Sequence, residues 1–214
     1  TSSGIFIPIS VGGGLKTLKD IENVLSAGAD KVTINSGAIK RPGFIKEASK
    51  EFGSANICLS IETAKIKNDE FYCLSNYGRE ISNKKLLNWF QDVQELGVGE
   101  IILTSISHEG VGNGFDHEVL EKIYDKIHLP FIMHGGAGNE NHIYDVLKYE
   151  KVSGVALSSL LHYSIIQDKK FTFDKNSDGN INFLKNFSKK NFDKKKNILS
   201  IKKFLKKKGI DIRL

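Results

Sequence analysis

The residues of this chain that most directly promise chemistry are two glycine runs. Gly12-Gly13-Gly14 follows an apolar β-branched stretch and precedes a helical one, and Gly135-Gly136-Ala137 does the same. Glycines behind a strand let backbone N–H groups close on an anion with no Cβ in the way. Each run is followed by a second loop of one kind. Asn35-Ser36 comes after Val32-Thr33-Ile34, and Ser158-Ser159 after Val155-Ala156-Leu157. Those loops open onto helices, whose first N–H groups favour negative charge. The offset is constant, because Gly13 to Gly136, Val32 to Val155 and Ser36 to Ser159 are each 123 positions apart. One glycine run alone is equally well read as a tight turn. The same second loop at the same offset in both halves points instead to phosphate. Gly13, Gly14, Asn35 and Ser36 form one cradle; Gly136, Ala137, Ser158 and Ser159 form the other. Two such cradles on one mouth point to a substrate with a phosphate at each end.

The elements that must position these loops alternate along the chain. Apolar runs predict strands over residues 5–11, 31–35, 56–62, 100–105, 130–133 and 154–158, with a short extra strand over 70–75. Helical spacing predicts helices over 17–26, 42–52, 83–96, 117–126, 141–149 and 198–207. Strands that are apolar throughout, each followed by a helix, mean a parallel sheet covered by helices. A 123-residue period implies a two-half molecule of about 246 residues, the size of an eight-stranded (β/α)8 TIM barrel. The strands at 56–62 and 100–105 have no first-half counterparts. The chain is therefore expected to supply strands three to eight of such an α/β barrel, truncated at its N-terminus. It reads as one partial barrel domain over 1–214, with a body at 5–165, an insertion at 167–198 and a C-terminal helix at 199–208.

Composition narrows the partners. The 214 residues carry a formal net charge of +6, but residues 184–208 hold eleven lysines and one aspartate. The remaining body is mildly acidic, which argues against a basic nucleic-acid-binding face. Cys58 and Cys73 show no CxxC pattern, so a disulfide scaffold or structural zinc site is not expected and the reducing cytosol is the natural compartment. No apolar run of about 18 residues points to a membrane. Asp174-Lys175-Asn176-Ser177-Asp178-Gly179 imitates the start of a calcium loop, yet Lys185 stands where the bidentate glutamate is required. No metal and no cofactor are expected.

Four longer stretches carry a family resemblance. Ile9-Ser10-Val11-Gly12-Gly13-Gly14, Gly28-Ala29-Asp30-Lys31-Val32-Thr33-Ile34-Asn35-Ser36, Gly99-Glu100-Ile101-Ile102-Leu103-Thr104-Ser105 and Gly135-Gly136-Ala137-Gly138 resemble the HisF family, the cyclase subunit of imidazole glycerol phosphate synthase. The similarity runs over about 5–165 and resumes at about 199–213. It implies a cytoplasmic lyase of histidine biosynthesis that works with a glutaminase subunit docked at the barrel bottom. Ammonia travels up the barrel interior. At the top it reacts with a ribulosyl-formimino-carboxamide ribonucleotide carrying two phosphates. Cleavage and ring closure give imidazole glycerol phosphate.

The resemblance also assigns residues. It adds Gly110 to the second phosphate cradle. It makes Glu62 the general acid-base carboxylate, at a fifth-strand position where the family has aspartate; the family's other aspartate lies on the first strand. It brings Thr104 and Glu109 near substrate, and leaves His134 either meeting substrate or capping a turn. The sixth-strand loop reads Ser107-His108-Glu109-Gly110 in place of an Asp-x-Asp-Gly pattern, and His134 replaces a small residue. Lys31 and Glu100 fall in a ring of charges that gates ammonia, and Asp30 lies near the glutaminase. The departures gather at the reacting end while the cradles are kept. That leaves a second reading, an ammonia-channelling relative that feeds a sugar amidotransferase in surface-polysaccharide (acetamidino-sugar) synthesis. An inactive fragment is the third.

Overall fold

The computed structural model describes residues 4–166, 192–193 and 196–214. Most of the expected insertion, including the calcium-loop imitation, lies outside the described residues. Chain order is β1 (Ser10–Gly12), α1 (Leu18–Ser26), β2 (Lys31–Ile34), α2 (Ser36–Lys40), α3 (Gly43–Phe52), β3 (Ile57–Lys67), β4 (Glu70–Ser75), β5 (Glu80–Lys85) and α4 (Leu86–Glu95). Then follow β6 (Glu100–Ser105), α5 (His117–Ile123), β7 (Phe131–His134), α6 (Glu140–Leu147), β8 (Gly154–Ala156), α7 (Ser159–Ile166) and α8 (Ile198–Lys207).

Six strands form one parallel path in the order β1-β2-β3-β6-β7-β8, and β4 and β5 extend β3 as an antiparallel hairpin. This is the α/β architecture of a partial TIM barrel, with the strands in barrel order. Side chains alternate across it, as the strand period of two requires. Val32, Ile34, Leu59, Ile61, Ile101, Leu103, Phe131 and Met133 are buried against the helices. The helices answer with Ile21, Phe44, Trp89, Phe90, Leu120 and Ile143. The other face carries the polar row, including Ser10, whose hydroxyl meets the Thr33 hydroxyl at 2.8 Å. Caps set the helix starts. Thr17 and Asp20 form a reciprocal capping box on α1, and Asn139 caps α6 through the His142 N–H.

Several expected boundaries are corrected. The strand expected over 5–11 is confined to Ser10–Gly12. Phe6 is 98% exposed and Ile7 73%, and only β2 lies alongside. Apolar composition makes a strand only where a neighbour supplies hydrogen bonds, and Pro8 has no N–H to offer. The helix expected from 83 starts at Leu86, because Ile81 and Lys85 pair back onto Leu74 and Tyr72. The strand expected over 56–62 runs on to Lys67 to carry that hairpin. The last turn of the helix over 117–126 tightens into a 3-10 turn, Tyr124–Lys126, and the 154–158 ladder stops at Ala156. The cysteines are free and buried in β3 and β4. Among the described residues no helix is long and apolar enough to cross a membrane.

Candidate functional site

The C-terminal ends of the six parallel strands share one edge, and the two glycine loops lie at its opposite ends. The first loop follows β1 and meets the end of β2. Gly12, Gly13, Gly14, Asn35 and Ser36 line a hollow of about 500 Å3 together with Ser60, Glu62, Asn76 and Tyr77. Gly13 and Gly14 hold φ of +106° and +74°, with open space where a Cβ would stand. Glycine is needed there for its backbone angle, and the N–H groups stay uncovered. The Asn35 Oδ1 is buried with no hydrogen-bond partner among the described residues. It is poised to accept from a ligand hydroxyl or amine. Helix α2 is only five residues long, so this end depends on the loop and its side chains more than on a helix dipole.

The second hollow is tighter, about 20 Å3, and brings together Glu109, Gly110, His134, Gly136, Ala137, Ser158 and Ser159. Here glycine is needed for space as well. A Cβ on Gly136, whose φ is +109°, would lie 2.0 Å from the Gly114 carbonyl oxygen. The Gly114 N–H in turn donates to the Gly136 oxygen at 2.8 Å. Ser159 opens α7, and a Cβ on Gly110 would stand 3.9 Å from its hydroxyl.

Between the two hollows, the register sets Glu62 on β3 beside Thr104 on β6, and Thr104 beside His134 on β7. Thr104 Oγ1 and His134 Nδ1 are 2.9 Å apart. Glu62 Oε2 accepts the Gly78 N–H at 2.7 Å. Burial pushes the Glu62 carboxyl above its ordinary range. The Gly78 donor opposes that, the Glu109 charge adds to it, and the Asn35 amide opposes it. Burial pushes the His134 imidazole down, against the pull of Glu109. A half-buried carboxyl held above its ordinary range is suited to proton transfer, and one strand beyond Thr104 burial favours the uncharged form of the His134 imidazole.

At the opposite end of the strands, Lys31 Nζ and Glu100 Oε2 form an ion pair of 2.6 Å. Cys58 lies beside them, its thiol pushed up to about 12 by burial and then by Glu100. Asp30 has a local duty, since its Oδ2 accepts the Ile9 N–H at 2.7 Å and holds the lead-in to β1. No three His, Cys, Asp or Glu side chains converge to hold a metal among the described residues.

The structure adds two groups that the sequence reading passed over. Asp116 is buried at the start of α5. Its Oδ1 caps the Val119 N–H at 3.1 Å, and its Oδ2 accepts the Ser105 hydroxyl at 2.6 Å. His108 Nδ1 stands 3.3 Å from that same oxygen. Asp116 thereby fixes the loop that carries Glu109 and Gly110. The Asn76-Tyr77-Gly78 turn folds over the first hollow, with all three residues at positive φ. The Asn-x-Gly sequence behind the apolar run of β4 was a usable turn signal, although the polar β5 that follows it gave no matching strand signal.

A parallel sheet in barrel order, with glycine loops after β1 and β7 and a carboxylate in each hollow, places the chain in the (β/α)-barrel class. The profile of the family described as "Histidine biosynthesis protein" matches residues 1–167. Three similar proteins are each called "Imidazole glycerol phosphate synthase subunit HisF". That of Staphylococcus saprophyticus is 40% identical over 163 residues, covering 76% of this chain and 65% of that protein. That of Staphylococcus aureus is 41% identical over the same span and coverage. That of Staphylococcus carnosus is 33% identical over all 214 residues and 72% of its own length. The chain belongs to the histidine biosynthesis protein family, among its HisF members. It spans about two thirds of the length of these relatives, 65% for two of them and 72% for the third.

Proposed function

We propose that this chain carries the substrate-binding mouth of an imidazole glycerol phosphate synthase cyclase, a lyase of histidine biosynthesis acting with a glutaminase partner. The observation behind this reading is two glycine-built hollows on one strand edge, with Glu62 on the wall of the first, His134 and Glu109 on the wall of the second, and Thr104 between them. Gly13, Gly14, Asn35 and Ser36 take one phosphate of a bisphosphate ribonucleotide. Gly110, Gly136, Ala137, Ser158 and Ser159 take the other. Glu62 moves protons during addition and ring closure, and Thr104, His134 and Glu109 contact the reacting centre. Lys31 and Glu100 gate ammonia at the opposite end, beside the glutaminase, with Asp30 at its rim. The unpaired buried thiols suit a cytoplasmic setting.

The test offers the chain the bisphosphate substrate and ammonium, with and without a glutaminase subunit. The bisphosphate is expected to bind roughly tenfold or more tighter than either monophosphate half, because the second contact is intramolecular. Any turnover is expected to fall in Glu62→Gln. Equal affinity for the bisphosphate and the monophosphates would defeat the proposal. Glutaminase activation without ring closure would match ammonia supply to another enzyme instead.

A further inference from the structure

We propose that the turn between β4 and β5, residues 76–78, is a positioning element that ties the Glu62 carboxyl to the first glycine cradle. The inference deepens the reading above and rests on it for the roles of Glu62 and Ser36. Two backbone donors of one turn reach two different functional side chains. The Gly78 N–H donates to Glu62 Oε2 at 2.7 Å, and the Asn76 N–H donates to Ser36 Oγ at 2.9 Å. Because Ser36 accepts that bond, its own O–H is left to donate, and Ser36 lines the first hollow. An anion in the hollow, Ser36, Asn76, Gly78 and Glu62 therefore stand in series.

The turn is built to transmit rather than to yield. Asn76, Tyr77 and Gly78 hold φ of +51°, +62° and +71°, and the Arg79 N–H closes onto the Ser75 carbonyl at 3.2 Å. Non-glycine residues adopt this backbone only where the surroundings fix it. The bonds to Ser36 and Glu62 supply part of that fixing, and Ile106 supplies more. A Cβ on Gly78 would come within 3.0 Å of Ile106 Cδ1, and the Ile106 N–H is itself held by the Thr63 carbonyl at 2.9 Å. Losing either bond loosens the other. A phosphate that engages Ser36 orders the turn and sets the carboxyl for proton transfer. Asn76 and Gly78 act only through Ser36 and Glu62, so they are positioning residues.

The experiment follows the Glu62 carboxyl by carbon-13 NMR titration, and the Gly78 amide by hydrogen exchange, in the wild-type chain, Ser36→Ala and Ser36→Thr. Ser36→Ala leaves Glu62 and Gly78 in place, yet it is expected to raise the Glu62 midpoint. It should also speed Gly78 exchange about fivefold, the effect of one hydrogen bond. Ser36→Thr keeps a hydroxyl and is expected to restore both. Saturating inorganic phosphate is expected to slow Gly78 exchange in the wild type and not in Ser36→Ala. An unchanged midpoint and exchange rate in a folded Ser36→Ala would overturn the coupling. Turnover retained by Glu62→Gln would overturn the catalytic reading instead, and the titration would still judge the coupling by itself.

Discussion

Gly136→Ala separates the need for glycine's backbone angle from the need for its size. Gly14 and Gly136 both hold positive φ, which costs an alanine about 1 kcal/mol. At Gly14 the added methyl meets nothing within 4 Å. At Gly136 it would lie 2.0 Å from the Gly114 oxygen, 2.8 Å from the Gly114 carbonyl carbon and 3.2 Å from the His108 Cβ. Backbone atoms cannot swing away as a side-chain end can, so overpacking adds about 1–3 kcal/mol. Gly136→Ala should therefore cost about 2–4 kcal/mol and Gly14→Ala about 1 kcal/mol. For a chain of this size each kcal/mol lowers the melting temperature by about 2–4 °C. The expected drops are about 4–16 °C and about 2–4 °C, read by thermal circular dichroism. Gly136→Ala should also lose phosphate at the second hollow, because the 114 and 136 loops are pushed apart. A melting temperature within about 2 °C of Gly14→Ala would refute the overlap argument.

Other perturbations follow from the same geometry. Asp116→Ala removes a helix cap and the shortest, charge-assisted hydrogen bond of the Ser105 hydroxyl, so it should cost about 2–4 kcal/mol by urea denaturation. The raised Glu62 carboxyl binds its proton more tightly folded than unfolded. Stability should therefore fall as pH rises from the ordinary carboxyl range to the elevated value, and Glu62→Gln should abolish that slope. The lowered His134 imidazole works in the opposite direction. Its contribution is present above the ordinary histidine range and is lost as pH falls through the depressed value, and a denaturation series in mild acid should show it. Cys58 and Cys73, both pushed up to about 12 by burial, should resist alkylation at neutral pH until the chain unfolds.

The legible parts of the fold were those with a repeated physical cause. Six apolar runs before six helical stretches gave the parallel sheet and its order, and the 123-residue offset matched the loops that line the two hollows. Apolar content misled at residues 5–9, where pairing partners rather than composition decide. The β5 strand was hidden because Ser82, Asn83, Lys84 and Lys85 have poor strand propensity and abut a strong helical period. Tertiary pairing with β4 overrides that preference. Glu62 was marked by resemblance and Asn35 by the first cradle, but Gly78 was not: a hydrogen bond from a backbone N–H leaves no trace in residue type. Asp116 escaped for the related reason that a buried cap resembles any turn aspartate. The helices after the two glycine runs were anticipated, whereas α2 and α7, which open from Ser36 and Ser159, were expected only as turns into a helix and given no range of their own.

The most direct test of the central claim counts phosphates. Calorimetric titration of the chain with inorganic phosphate is expected to show two sites, with Gly136→Ala removing one and Ser36→Ala weakening the other. A single site, or binding indifferent to both substitutions, would contradict the assignment of the two glycine loops.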